Sequence, residues 1–348
     1  MLEYEEGRTE LKSLGKFALV ERLTDGFDKH QSNTLCGVGD DCAVIACHDQ
    51  LLTLATTNTL VEGIDFDMSY TPLRHLGYKA VAIAISNIAA MNGTPQQVMI
   101  SVAISNRYSV EALEELYAGI RLCCNRYDVD LVGGDTSTTQ SGMVLTATVI
   151  GQVDKHQITY RSGAKNNDLI CVSGDLGSAY SGLLVLEREK INFIANPKEQ
   201  PDLDSYDYVL ERFLKPEPRM DIVQFLHEKD IVPTSMIDVS NGLASEMLLI
   251  CQAGHCGCNI YEEKLPIDYQ TTRVCSEISK NMMPVSNALN GGSDYELLFT
   301  IAQSDYDKVK ESREVHIIGH ITDGDAVLVT PQNTTIELRA QGFQNNDD

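Results

Sequence analysis

Four acidic turns, each after or beside a strand-like run, carry the side chains best able to hold a charged ligand: GVGDDC (37–42), TTNTLVEGIDF (56–66), GGDTS (133–137) and IDVSNGL (237–243). Carboxylates at such turns are hard oxygen ligands for Mg²⁺ or Ca²⁺. Divalent cations between carboxylates and phosphates reverse the local charge logic, so even an acidic protein can bind a nucleotide. No GxxxxGK[ST] occurs, which excludes a P-loop; a triphosphate bound here would need metals. In GVGDDC, Gly37 and Gly39 let the backbone approach a ligand, and adjacent Asp40 and Asp41 on an extended chain point to opposite faces, so one of the two should face a site. In GGDTS the candidate ligand is Asp135, with Gly133 and Gly134 making room. Taken singly, each stretch also reads as an ordinary acidic turn. In IDVSNGL an amide, Asn241, stands three residues after Asp238, where a metal-holding loop would be expected to carry a second acid.

The elements that must position these turns divide into two halves. In the first, the β-rich runs LLTLATTNT and MVLTATVIG are separated by two helical stretches. RHLGYKAVAIAISNIAAM is apolar almost all round and should be buried. SVEALEELYAGIRLCCNRY is amphipathic, with Ser109 as N-cap and Glu111 in its first turn. The second half begins near RSGAKNNDLICVSGDLGSAYSG with a strand, a glycine-spaced turn and a small-residue helix. It continues through PTSMIDVSNGLASEMLLICQAG in the same order, where Gly254 reads as the C′ residue before a strand at 257–262. DYELLFTIA and EVHIIGHIT follow as strands, and the polar segment 190–209 reads as a surface excursion. The boundary is expected near residue 155, giving an N-terminal domain over 1–155 and a C-terminal domain over 156–348.

Composition fits that picture. A chain of 348 residues exceeds what one hydrophobic core usually serves. Its 43% apolar and 22% charged residues are globular in balance. With 27 Lys and Arg against 50 Asp and Glu, the net charge of -23 repels nucleic acid and anionic lipid, so neither is an expected partner. No run approaches the length of a membrane helix, the acidic N-terminus has no apolar signal region, and the ten cysteines read as buried thiols of a reducing compartment. A cytoplasmic protein is expected. CQAGHCGC lacks the spacing of known zinc sites and is better explained by a helix end running into a strand.

In their order along the chain, GVGDDCAV, TTNTLVEGIDF, HLGYKAVAIAISNIAAMNGTP, VGGDTS, YRSGAKNNDLICVSGDLGSA, LKPEPR, IDVSNGL and GGSDYELLFT resemble the thiamine-monophosphate kinase family, in the wider group that includes aminoimidazole ribonucleotide synthetase and selenophosphate synthetase. The resemblance covers nearly the whole chain. It implies an α/β (α+β) fold of the aminoimidazole ribonucleotide synthetase-like type in two domains, with 1–155 the ATP- and metal-binding one. It also implies a homodimer whose N-terminal domains pair strands into a shared barrel, and direct in-line transfer of the γ-phosphoryl group of ATP, with Mg²⁺, to thiamine monophosphate. Carried over residue by residue, it makes Asp41, Asp135 and Asp238 metal ligands and Thr56 a metal contact. Arg161 and Ser240, with Gly134 and Asp135, become nucleotide contacts, and Asp65 a substrate contact. Arg161 and Asp135 are the expected catalytic pair. A selenophosphate-type reaction would want a reactive cysteine in an N-terminal loop, and none precedes Cys36.

The chain departs from the family pattern on its motifs. Asn58, Asn87 and Asn241 stand where the family has aspartate, Ser293 replaces a glutamate in GGSDYELLFT, and Phe343 takes the place of an aromatic that is usually tryptophan and lies against the thiamine rings. An asparagine offers a cation one neutral oxygen and no charge, so weaker metal binding is the expected direction. The alternative reading is a noncatalytic or weakened relative that still binds nucleotide or thiamine phosphate.

Overall fold

The computed structural model describes residues 14–47, 50–340 and 342–343; the acidic N-terminal stretch considered above lies outside them. After α1 (Lys16–Thr24) come β1 (Thr34–Cys36), β2 (Ala43–Ala46), β3 (Leu51–Val61), α2 (Leu73–Ala90), β4 (Thr94–Ile104), α3 (Val110–Tyr127), β5 (Asp130–Thr138) and β6 (Val144–Asp154). The strands form one sheet in the order β1-β2-β3-β6-β4-β5. β3 and β6 pair antiparallel over their full lengths, from Leu51 opposite Asp154 to Val61 opposite Val144. β4 and β5 are parallel, and α3 makes the crossover that parallel strands require.

Period-2 patterning decides which face of this sheet is covered: Leu52, Leu54 and Leu60 of β3 and Leu145, Ala147 and Val149 of β6 point into the core. α2 lies there, buried nearly throughout by its run of alanines and isoleucines. α3 crosses it so closely that Gly77 and Gly119 each face the other helix's backbone with no room for a Cβ. Ser109 caps α3 as expected, accepting a hydrogen bond from Ala112 N.

The second sheet contains β7 (Leu169–Ser173), β8 (Ser235–Asp238), β9 (Gly257–Tyr261), β10 (Leu297–Ile301), β11 (Val315–Thr322), β12 (Ala326–Val329) and β13 (Thr335–Glu337), ordered β13-β12-β9-β11-β7-β10-β8. Around it lie α4 (Ser178–Ala195), α5 (Asp207–Leu214), α6 (Met220–Glu228), α7 (Leu243–Gly254), α8 (Tyr269–Ile278), α9 (Pro284–Asn290) and α10 (Tyr306–Val309). The expected α/β architecture is what the chain adopts. Two local expectations are corrected. α7 runs through Gly254, and His255 takes the left-handed capping position. Residues up to 195 in the supposed surface excursion belong to α4, which carries Val185 and Leu186 into the core.

The halves share packing. Ala89 and Ala90 of α2 sit in one apolar cluster with Met236, Leu297 and Phe299 of the second sheet, which sets the C-terminal end of α2 beside β8. Glu217 of LKPEPR ties the same interface, accepting hydrogen bonds from Tyr78 of α2 and Tyr127 of α3. The other charges of these motifs are structural as well. Buried Glu296 of GGSDYELLFT is held by Arg212 at 2.8 Å and Arg219 at 2.5 Å, and buried Asp294 accepts from the backbone N–H groups of Gly177 and Ala179 at the start of α4.

Candidate active site between the two sheets

Where the two halves meet, a cavity of about 860 Å³ opens between the turn after β1, the middle of β3, the end of α2, the loop from β8 into α7, and α1. Because β8 ends against α2, Asp238 is delivered to its floor, 2% exposed. Its Oδ2 has no hydrogen-bond partner among the described residues. Burial, and then the nearby Asp41 carboxylate, push its pKa well above the usual carboxylate range.

Asp40 and Asp41 correct the expectation that one of them would turn away. The chain bends at this turn instead of running extended, and both carboxylates face Arg161. The guanidinium forks onto Asp41, Nη2 to Oδ1 at 2.7 Å and Nε to Oδ2 at 3.2 Å. Asp40 Oδ2 accepts from the backbone N–H of Arg161 at 3.2 Å. Burial and the charge of Asp41 push Asp40 up to about 6. For Arg161 burial works against the charged form, and the two aspartates more than offset it.

Thr56 and Asn58 of β3 meet Asn87 of α2 on the adjoining wall. Asn87 Nδ2 donates to Thr56 Oγ1 at 2.8 Å and to Asn58 Oδ1 at 3.0 Å, a neutral network that gives Asn58 the local role its strand position did not suggest. Across the cavity, Asn241 donates to Glu246 Oε1 twice, from Nδ2 and from its backbone N–H, both at 2.8 Å, and from Nδ2 to Ser240 Oγ at 3.0 Å. Glu246 is the site residue that sequence reasoning missed. It lies in the first turn of α7, where a carboxylate ordinarily signals only the helix dipole, yet it is 1% exposed and lines the cavity, its pKa raised by burial.

Phe343 also reaches the cavity, its ring 5.1 Å from that of Phe17. The remaining expected residues lie elsewhere. Asp65 closes the turn after β3, accepting from Val61 N at 2.8 Å. Ser293 lies behind the wall, its N–H donating to Ser240 O at 2.8 Å. Gly134 and Asp135 are on β5, a sheet edge separated from β3 by β6 and β4 and exposed along its whole length. Gly134 has a local reason to be glycine: at φ 150 a Cβ would stand 1.7 Å from Ile100 O of β4. Asp135 therefore does not join Asp41 and Asp238 within one chain.

Among the described residues no three acidic, His or Cys side chains converge on a ready-made cation site, CQAGHCGC included. The unpartnered oxygen of Asp238 and the raised pKa values of Asp40 and Glu246 nevertheless fit a cation. Mg²⁺ bound with a nucleotide takes one or two protein carboxylates and completes its shell with phosphate oxygens and water; toward this Asp238 offers an unpartnered oxygen, while both oxygens of Asp41 rest on Arg161.

The family model of the AIR synthase related protein, N-terminal domain, matches residues 39–153. The thiamine-monophosphate kinase of Bacillus subtilis (strain 168) is 32% identical over 338 residues, 95% of this chain and 99% of that protein. The enzyme of the same name from Escherichia coli (strain K12) is 32% identical over 292 residues, 83% of each chain. Among solved structures, AaThiL complexed with AMPPCP and TMP superposes with a TM-score of 0.81 at 26% identity, covering 97% of this chain and 99% of that one. The HypE–HypF complex, at 17% identity and a TM-score of 0.69, shares the fold.

Proposed function

As the chain belongs to the thiamine-monophosphate kinase family, we propose that it transfers the γ-phosphoryl group of ATP to thiamine monophosphate, giving thiamine diphosphate. The observation that carries this reading is a cavity between the two sheets, which gathers Asp41, Asp238, Ser240, Asn241 and Arg161 from distant parts of the chain. The AMPPCP and TMP bound by AaThiL supply the matching pair of ligands, ATP and thiamine monophosphate. Relatives named as kinases do not favour the noncatalytic reading.

Phosphoryl transfer asks a protein to align the two phosphates and neutralise the developing charge, with little covalent help. The acceptor is a phosphate oxygen, already anionic at neutral pH, so no strong general base is required. Arg161 is the cation placed for the transferred group. Its fork now rests on Asp41, and turning it to a phosphate frees that carboxylate. Ser240 lies at the mouth of α7 to bind the nucleotide. Asp41 and Asp238 would hold Mg²⁺, with Thr56, Asn58, Asn87 and Asn241 as neutral oxygen donors; the ion, when bound, screens the phosphates and withdraws electrons from the leaving group. Phe343 offers its ring face to the thiamine, and Asp65 and Ser293 are substrate contacts by family position.

Asp135 and Gly134 call for a second copy. A nine-residue edge strand with Leu131 and Val132 exposed is an unpaired template for another chain, and a homodimer formed through it would bring Asp135 out of solvent. We place the domains over 1–155 and 156–348, a division supported by the end of β6 at Asp154 and the start of β7 at Leu169, and among the described residues no helix is long and apolar enough to cross a membrane.

The test is formation of thiamine diphosphate from ATP and thiamine monophosphate across a Mg²⁺ titration, beside Arg161→Met. Turnover by the native chain and a fall of at least about 100-fold in the variant are expected; no product at any Mg²⁺ concentration overturns the proposal.

A further inference from the structure

Lys16 is the first residue of α1 and lines the cavity, and its Nζ donates to Asn241 Oδ1 at 3.3 Å. The other end of that amide donates to Glu246, so a base on one side and an acid on the other fix the orientation of Asn241. The cavity wall carries five carboxylates, from Glu21, Asp40, Asp41, Asp238 and Glu246, against two cations, Lys16 and Arg161. Arg161 spends its charge on Asp41 and Asp40. The ammonium of Lys16 meets a neutral amide at Asn241, and its positive charge remains available to an anion entering the cavity. An aspartate at 241 would instead hold the lysine in an ion pair.

α1 buries no residue of its own and is kept over the cavity by contacts at its start. Phe17 packs on Phe343, and the backbone of Gly15 lies directly against that of Gly342. Position 16 is thereby set at the rim, with a long side chain that can swing from Asn241 toward a ligand.

We propose that Lys16 is a phosphate-binding residue of this site, its ammonium supplying to the polyphosphate part of the positive charge that a cation held by an acidic residue at position 241 would supply. The neutrality of Asn241 is then functional, because it parks the lysine without discharging it. The inference rests on the kinase reading for its ligand and is tested apart from turnover.

ATP and AMP are titrated calorimetrically into the full chain, in EDTA and in Mg²⁺, for the native protein, Lys16→Met and Lys16→Arg. Lys16→Met is expected to weaken ATP binding in EDTA about tenfold, the worth of one charge-assisted contact. It should leave AMP within twofold and raise the Mg²⁺ concentration needed for half-maximal ATP binding, while Lys16→Arg retains most of the affinity. Equal ATP affinity in native protein and Lys16→Met, or no measurable ATP binding by the native protein without Mg²⁺, overturns the proposal. Native turnover of thiamine monophosphate alongside equal affinities would sink the role of Lys16 and leave the kinase standing; a clear Lys16→Met effect without native turnover would do the reverse.

Discussion

Restoring the acid that the family pattern carries at position 241 should destabilise the unliganded protein. Asn241 Nδ2 lies 2.8 Å from Glu246 Oε1, so Asn241→Asp sets a carboxylate oxygen where a donor stood, against an acid that is 1% exposed. Two full charges at that separation would repel by about 6 kcal/mol at an effective dielectric of about 20. Protonating one of them at pH 7 costs less, about 4 kcal/mol for a carboxyl of ordinary pKa near 4, so the pair takes up a proton. The shared proton restores a hydrogen bond worth about 1 kcal/mol, and the exposed ion pair gained with Lys16 adds little, leaving a loss of about 3 kcal/mol. With about 2.1 cal/mol/K of unfolding entropy per residue over 348 residues, Tm falls by about 4 °C. The sign of the pH dependence follows: the folded variant binds a proton that the unfolded chain releases above pH ~4, so the deficit grows by about 1.4 kcal/mol per pH unit from there to about pH 8 and vanishes as pH falls toward 4. Thermal denaturation of native protein and Asn241→Asp at pH 7.5, 6 and 5, with and without Mg²⁺, tests this, and Mg²⁺ should narrow the gap. A variant as stable as the native chain at pH 7.5, or a deficit that does not shrink with acid, would refute the reasoning.

Two further outcomes rest on buried charges. Asp238→Asn removes a desolvated carboxylate whose Oδ2 lacks a partner; the free protein should gain about 1–2 kcal/mol, while its stabilisation by Mg²⁺-ATP shrinks. Melting curves with and without ligand decide, and a less stable free variant would mean that the carboxylate is satisfied. Lys79 of α2 is buried, donates to Phe213 O at 3.0 Å, and is pushed down to about 8 by burial. Between pH 8 and 10.5 the unfolded chain binds the proton that the folded chain has lost. Native stability relative to Lys79→Met should therefore rise by up to about 1.4 kcal/mol per pH unit across that window, and a difference that stays flat in denaturant titrations at pH 8, 9 and 10 would show that the ammonium remains charged.

What was legible in the sequence was whatever repeats with a period or carries its own cap. α2 declared itself by being apolar all round, and α3 by Ser109 and its amphipathic face. Turn geometry was not legible. Adjacent aspartates alternate only on an extended chain, and the bend at Asp40 and Asp41 puts both on Arg161. Glu246 was hidden because its sequence context, an acid in a helix's first turn, is explained by the dipole alone; only the packing of α7 under the β8 loop shows it to be buried in the cavity. Asp135 sits in a turn-like motif as good as the others, but strand order sets it three strands from Asn58, and strand order is a long-range property that local pattern does not carry. The charges of LKPEPR and GGSDYELLFT lie likewise in a structural network around Glu296 and Glu217, away from the cavity.

The three asparagines are then better explained by their neighbours than by their own positions. Asn87 uses its amide nitrogen to join Thr56 and Asn58 across α2 and β3, a bond that a carboxylate cannot donate, so what it can present to a cation is a neutral oxygen. Asn241 stands between Lys16 and Glu246, where a carboxylate would be attracted on one side and repelled on the other. Lowering the count of acids at the cavity while keeping Asp41, Asp238 and Glu246 reduces the number of cations needed before a polyphosphate can enter, and Lys16, in the role proposed for it, reduces it further. On the reading proposed above, the amides mark a site that has shifted part of its charge balance from bound metal to protein, and weaker metal binding and retained phosphoryl transfer are compatible in the same cavity.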